Sequence, residues 1–141
     1  VSVLPPGTTI HSAKLMLYPI SRSNEGGVTV SAFQVLRPWA EMQATWNQAR
    51  AGQAWGLPGC SQAATDLAAT ASAATLVSAI NVWNEWDLTG LVQGWVNTPA
   101  SNRGVVLKGS GLTAVEYSYA TSEYWWALNL SPKLVLRYTA P

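Results

Sequence analysis

The residues able to do chemistry are few: one histidine, seven carboxylates, one cysteine and eight tryptophans. A Ser-His-Asp triad would need the histidine beside a nucleophile on a strained strand-to-helix turn, and no G-x-S-x-G occurs. His11 instead opens an alternating segment between Ile10 and Ser12 and reads as structural or solvated. Two carboxylates flanking a sugar bond would make a glycosidase. The candidates are Glu41, Asp66, Glu85, Asp87, Glu116 and Glu123. Glu41 lies in a tryptophan cluster and Glu123 follows Thr121-Ser122. Both are expected to accept hydrogen bonds from indole and backbone N–H groups that pin loops. No catalytic residue is assigned, and the chain reads as a non-enzyme. No Cys/His cluster has zinc spacing, and no D-x-[DN]-x-[DN]-G loop occurs. No cofactor or metal is expected, with one structural calcium on Asp66 and backbone carbonyls left open. Gly109-Ser110-Gly111 is a turn, not a phosphate loop. Lys14, Lys108 and Lys133 lie near strands and read as solvated rather than as partners in an isopeptide bond.

The aromatics are the other resource. Trp125 and Trp126, if extended, point to opposite faces, and Trp83 and Trp86 also diverge. Trp83, Tyr124, Trp125 and Trp126 are the expected assembly or ligand surface. Outward rings stack on sugars, cover loops or fill a subunit interface. Trp39, Trp46, Trp55 and Trp95 are expected in structural roles, with Glu41, Asn47, Asp87 and Glu123, as loop pins or core.

The elements that must position these residues are mostly strands. Ile10–Tyr18 alternates, with Ala13, Leu15 and Leu17 on one face. Val28–Leu36, Ile80–Asp87, Val105–Lys108, Tyr117–Ala120 and Lys133–Tyr138 follow, giving about six short strands. Ser21–Gly27 reads as a turn. Residues 39–59 have no period, and a loop that long is either functional or pinned by its own side chains. Residues 63–79, rich in Ala, Ser and Thr, read as an extended surface segment. Leu88, Leu91, Val92, Trp95 and Val96 form a helical stripe, predicting a short helix over Leu88–Asn97. Asp87 or Thr89 can cap it. The turn spacing is that of an antiparallel sandwich.

Composition sets further bounds. The length of 141 residues suits one domain. Charged residues make up 11%, against about 25% usually. A net charge of +1 gives no footprint for nucleic acid, and no run of about 18 apolar residues predicts membrane insertion. The start at Val1 reads as a processed or excised chain. Low charge with many tryptophans suggests a surface packed against a partner.

Ile10–Tyr18, Pro38-Trp39-Ala40-Glu41 with Thr45-Trp46-Asn47, Trp55-Gly56, Trp86-Asp87-Leu88-Thr89, Val92-Gln93-Gly94-Trp95, Asn102-Arg103-Gly104 and Pro132–Tyr138 together carry a resemblance. The chain resembles the DNRLRE (disaggregatase-related) domain, which overlaps carbohydrate-binding module family 96. The resemblance implies a non-catalytic, jelly-roll-like all-β sandwich from secreted or cell-surface proteins of bacteria and archaea, some binding acidic polysaccharide. It also implies about 40 or more residues ahead of Leu4-Pro5-Pro6-Gly7 that supply first strands. A single domain over 1–141 lacking them would have an open edge, to be filled by a neighbouring domain or by strand donation between copies. The expected role is thus an extracellular self-assembling subunit of a cell-surface filament or adhesive assembly. The alternative is a carbohydrate-binding module of a larger secreted protein.

Overall fold

The structure, a computed structural model, describes residues 4–111, 114–125 and 127–141. Along the chain run β1 (Thr9–Leu17), β2 (Pro19–Arg22), β3 (Val28–Gln34), β4 (Gln48–Arg50), β5 (Gln53–Ala54), β6 (Ala73–Val77), β7 (Asn84–Asp87), α1 (Thr89–Asn97), β8 (Val105–Ser110), β9 (Tyr117–Tyr119) and β10 (Lys133–Thr139). This is an all-β sandwich with antiparallel pairing. One layer has the order β10-β1-β7, continued beyond Tyr18 by the pair β2-β9. The facing layer has the order β6-β3-β8.

Alternation in β1 sends Ala13 and Leu17 inward and Lys14 outward. Ile10, Val30, Ala32, Val77 and Trp86 meet between the layers, and Val92, Trp95 and Val96 of α1 join the same core. Trp86 is fully buried and its Nε1–H donates to Val30 O across the core at 2.7 Å. Burying about 150–250 Å² of indole stabilises by roughly 4–6 kcal/mol, and the bond leaves its polar atom satisfied.

β7 covers only Lys14–Leu17 of β1. Beyond Asp87 the chain turns into α1, whose side chains then replace a strand. Ile10 N–H donates to Gln93 Oε1 at 2.8 Å and Ala13 N–H to Thr89 Oγ1 at 3.0 Å. Gln93 Nε2 donates back to Thr8 O at 3.1 Å. Backbone groups that would otherwise lack partners at a half-covered strand are paired.

Three segments differ from the expectations. Residues 73–77 of the Ala/Ser/Thr segment form β6, paired with β3, because Val77 has an inward place to fill. Pro19–Arg22, partly expected as turn, is β2. The segment Ile80–Asp87 is strand only from Asn84, since Asn81 is left-handed (φ 60°) and its N–H donates to Pro19 O. The helix lies where its stripe places it, within one residue.

β10 is the outer strand of its sheet among the described residues. Its core-side residues Leu134 and Tyr138 and the outward Val135 are all exposed.

Candidate functional site

The segment from Leu36 to Leu67 is held by one carboxylate. Asp66 is fully buried, and both of its oxygens are taken. Oδ1 accepts from Arg37 Nε at 2.6 Å and Gly56 N at 2.9 Å. Oδ2 accepts from Leu57 N and Gln62 N, both at 3.1 Å. Burial alone would raise the pKa of Asp66, but the donors from Gly56, Arg37, Leu57 and Gln62 outweigh it and hold the group at about 2. A calcium ion at Asp66 would have to displace these four donors. The hub sits among left-handed residues, Gly59 (φ 73°), Cys60 (φ 56°) and Ala64 (φ 60°). Such backbone persists only where its surroundings over-determine it.

The loop tryptophans complete the anchoring. Trp39 Nε1–H donates to Arg103 O at 2.7 Å, and Trp55 Nε1–H to Thr45 O at 2.9 Å. Their acceptors are backbone carbonyls, while Glu41 is exposed. Trp55 packs beside the second cluster of Val35, Cys60 and Leu67. Trp46 is largely exposed, with its ring lying where a Cβ at Gly59 would be. Asn47 O accepts from Trp55 N. Lys108 Nζ bonds Gly59 O and, at 3.0 Å, Ser61 Oγ. Asp87 accepts from the hydroxyl and the N–H of Thr89, which lower its pKa and brace the start of α1. Trp95 is buried in the core. Glu123 is exposed, and its N–H donates to Thr121 Oγ1.

A second set of residues gathers at the far end of the β10-β1-β7 sheet. Trp83 is half-buried, with Tyr18 edge-on to it at 5.2 Å and 68°. Lys133 Nζ lies 3.8 Å from the Trp83 ring centroid, a cation–π contact. The connection from β9 to β10 starts here, where Ala120 N–H donates to Tyr18 O, and returns here at Lys133. It carries Tyr124, half-buried, and Trp125, 74% exposed. Trp126 lies outside the described residues. The structure thus brings Trp83 to the base of the loop that bears Tyr124 and Trp125. Lys133, expected as one solvated lysine among others, is the residue that caps Trp83. Its only sequence signal is its place at the mouth of a strand that follows an aromatic-rich loop.

The outward register of this sheet places Lys133, Val135 and Arg137 opposite Met16, Lys14 and Ser12, with Glu85 and Asp87 on the other side of β1. Lys14 is engaged with Glu85 at 2.6 Å. Arg137 is exposed. Among the described residues no group of three His, Cys, Asp or Glu stands together, and no helix is long and apolar enough to cross a membrane.

The fold is thus a two-layer sandwich with the Trp83–Tyr18 pair and Lys133 at one end of an outer sheet face. The chain belongs to carbohydrate-binding module family 96, whose model matches residues 1–138. Such families are typically non-catalytic and commonly extracellular. Neither a curated protein nor a solved structure matches the chain.

Proposed function

We propose that this chain is the carbohydrate-binding module of a secreted or cell-surface protein and that it takes an acidic polysaccharide along the outer side of β10. The observation that carries the reading is the Lys133 ammonium held over the Trp83 ring beside Tyr18. A uronate carboxylate would take Lys133 as its ion partner and draw the ammonium off Trp83, freeing the ring face it covers for the apolar side of a sugar. Arg137 lies four residues along the same face, about 13 Å away at strand rise, within reach of the same polymer. Glu85 and Asp87 bias an anionic chain toward the β10 side.

Titration calorimetry with polygalacturonate, polyguluronate and hyaluronan, with dextran as the neutral control, tests this. At least one uronate should bind and dextran should not. Lys133→Ala and Trp83→Ala should each weaken binding about tenfold, equivalent to about 1.4 kcal/mol. Unchanged affinity in Lys133→Ala would defeat the reading.

A second reading is favoured by the exposed apolar residues of β10. Leu134, Val135 and Tyr138 on an outer strand make an acceptor for a strand from a second copy, which is the self-assembling role, with Trp125 and Trp126 as interface aromatics. Sedimentation velocity should then show concentration-dependent association that Val135→Lys abolishes. A monomer at every concentration would rule it out.

A further inference from the structure

β10 is seven residues long and forms an outer edge of the β10-β1-β7 sheet among the described residues. Proteins blunt such edges with proline, with bulges or with charge turned toward the core. β10 contains no proline, and the one irregularity in its ladder lies on the β1 side, between Ile10 and Ser12. Leu134, Leu136 and Tyr138 stand opposite Leu15, Ala13 and Ile10 and share their core-side face. The charged residues Lys133 and Arg137 alternate onto the outer face. Leu134 and Tyr138 are nevertheless 36% and 46% exposed, so the facing layer leaves core-side apolar surface uncovered at this edge.

The charge pattern of β10 suits a copy of itself. When two identical strands pair antiparallel in one continuous sheet, the two-fold axis passes through a residue that lies opposite its own copy. An axis through Val135 would set Lys133 against the partner's Arg137, and an axis through Arg137 would set that residue against itself. Both oppose like charges directly, which is destabilising. An axis nearer either end leaves most of the strand unpaired. With the axis through Leu136, Lys133 faces Thr139, Leu134 faces Tyr138 and Val135 faces Arg137. In that register the whole of Lys133–Thr139 is paired and no like charges are opposed.

We propose that β10 pairs antiparallel with β10 of a second copy about a two-fold axis through Leu136, joining two three-stranded sheets into one of six strands. The proposal rests on the reading of β10 as a strand acceptor and fixes its partner and register. Leu134 and the partner's Tyr138, with the symmetry-related pair, cover the apolar surface that each copy alone leaves exposed. The contact is isologous, so it closes at a dimer and does not propagate into a filament. Only the edge is used, and the outer face with Lys133 and Arg137 stays open on both copies. One strand from each copy makes an interface of the weak class, below about 1,200 Å², so the dimer forms at micromolar concentration or above.

Sedimentation velocity from micromolar to millimolar concentration should show a monomer–dimer equilibrium and nothing larger. Val135→Lys sets an ammonium opposite the partner's Arg137, and Val135→Glu sets a carboxylate there. The lysine variant should therefore dimerise about tenfold more weakly than the glutamate variant. Directly opposite residues lie about 4.5–5.5 Å apart between Cα atoms, within disulfide reach. An equal mixture of Val135→Cys and Arg137→Cys should thus cross-link under mild oxidation at a rate that neither variant reaches alone. The native Cys60 is buried and common to both. Association beyond the dimer, equal weakening by the two charges, or a mixture no faster than its parts would overturn the pairing while leaving strand addition at β10 standing. A monomer at every concentration would remove both.

Discussion

Asp66 shows how much one side chain can hold. It is the lone charge in a stretch of Ala, Ser and Thr, and it ties Arg37, Gly56, Leu57 and Gln62 together. Its carboxyl is held at about 2, below its ordinary 3.8. The unfolded chain therefore binds this proton first as pH falls. The stabilisation is fully present above about pH 4 and is lost on the way down to pH 2, a change of about 2 kcal/mol at 1.36 kcal/mol per unit. Urea unfolding at pH 5 and at pH 2 should show that loss. Asp66→Asn should be less stable by about 2 kcal/mol at neutral pH, because it strips the charge that a buried carboxylate shares with a partly exposed Arg37 and three backbone N–H donors, and its stability should change less over the same pH interval. A variant as acid-sensitive as the parent would place the titration elsewhere.

At the scale of elements, α1 is as much a sheet partner as a helix. Gln93 satisfies Ile10 N–H and Thr8 O, and Thr89 satisfies Ala13 N–H. Gln93→Leu keeps the bulk and removes both bonds, leaving two backbone groups at the β1–α1 junction without partners. A loss of about 2–4 kcal/mol in chemical unfolding is expected, along with faster amide exchange at Ile10 than at Leu15, which stays within the ladder. Equal exchange at the two amides would mean that the helix contributes packing alone.

At the scale of the whole molecule, a net charge of +1 means that an acidic polymer finds no broad basic field here. On the proposed reading, its attraction comes from Lys133 and Arg137 locally. Raising salt from about 0.1 to 1 M shortens the screening length from about 10 to 3 Å. Polyuronate affinity should therefore fall, yet a part carried by Trp83 and Tyr18 should persist. Affinity wholly indifferent to salt would exclude the two cations from the site.

The sequence by itself determined the all-β class, the place of α1 and the positions of β1, β3, β8, β9 and β10. Period-two and period-3.6 patterns are local consequences of which face is buried. The family was also legible, because its motif residues are short and contiguous. What only tertiary structure decided is which polar groups meet. Asp66 and Arg37 are 29 residues apart, Gln93 and Ile10 are 83 apart, and no periodicity encodes such pairs. The same holds for Lys133 over Trp83. The acceptors that Trp39 and Trp55 reach were not legible, because backbone carbonyls leave no trace in the residue types. β6 was illegible for a related reason: Ala and Thr carry too little apolar contrast to mark a strand, and only the place of Val77 against β3 makes it one.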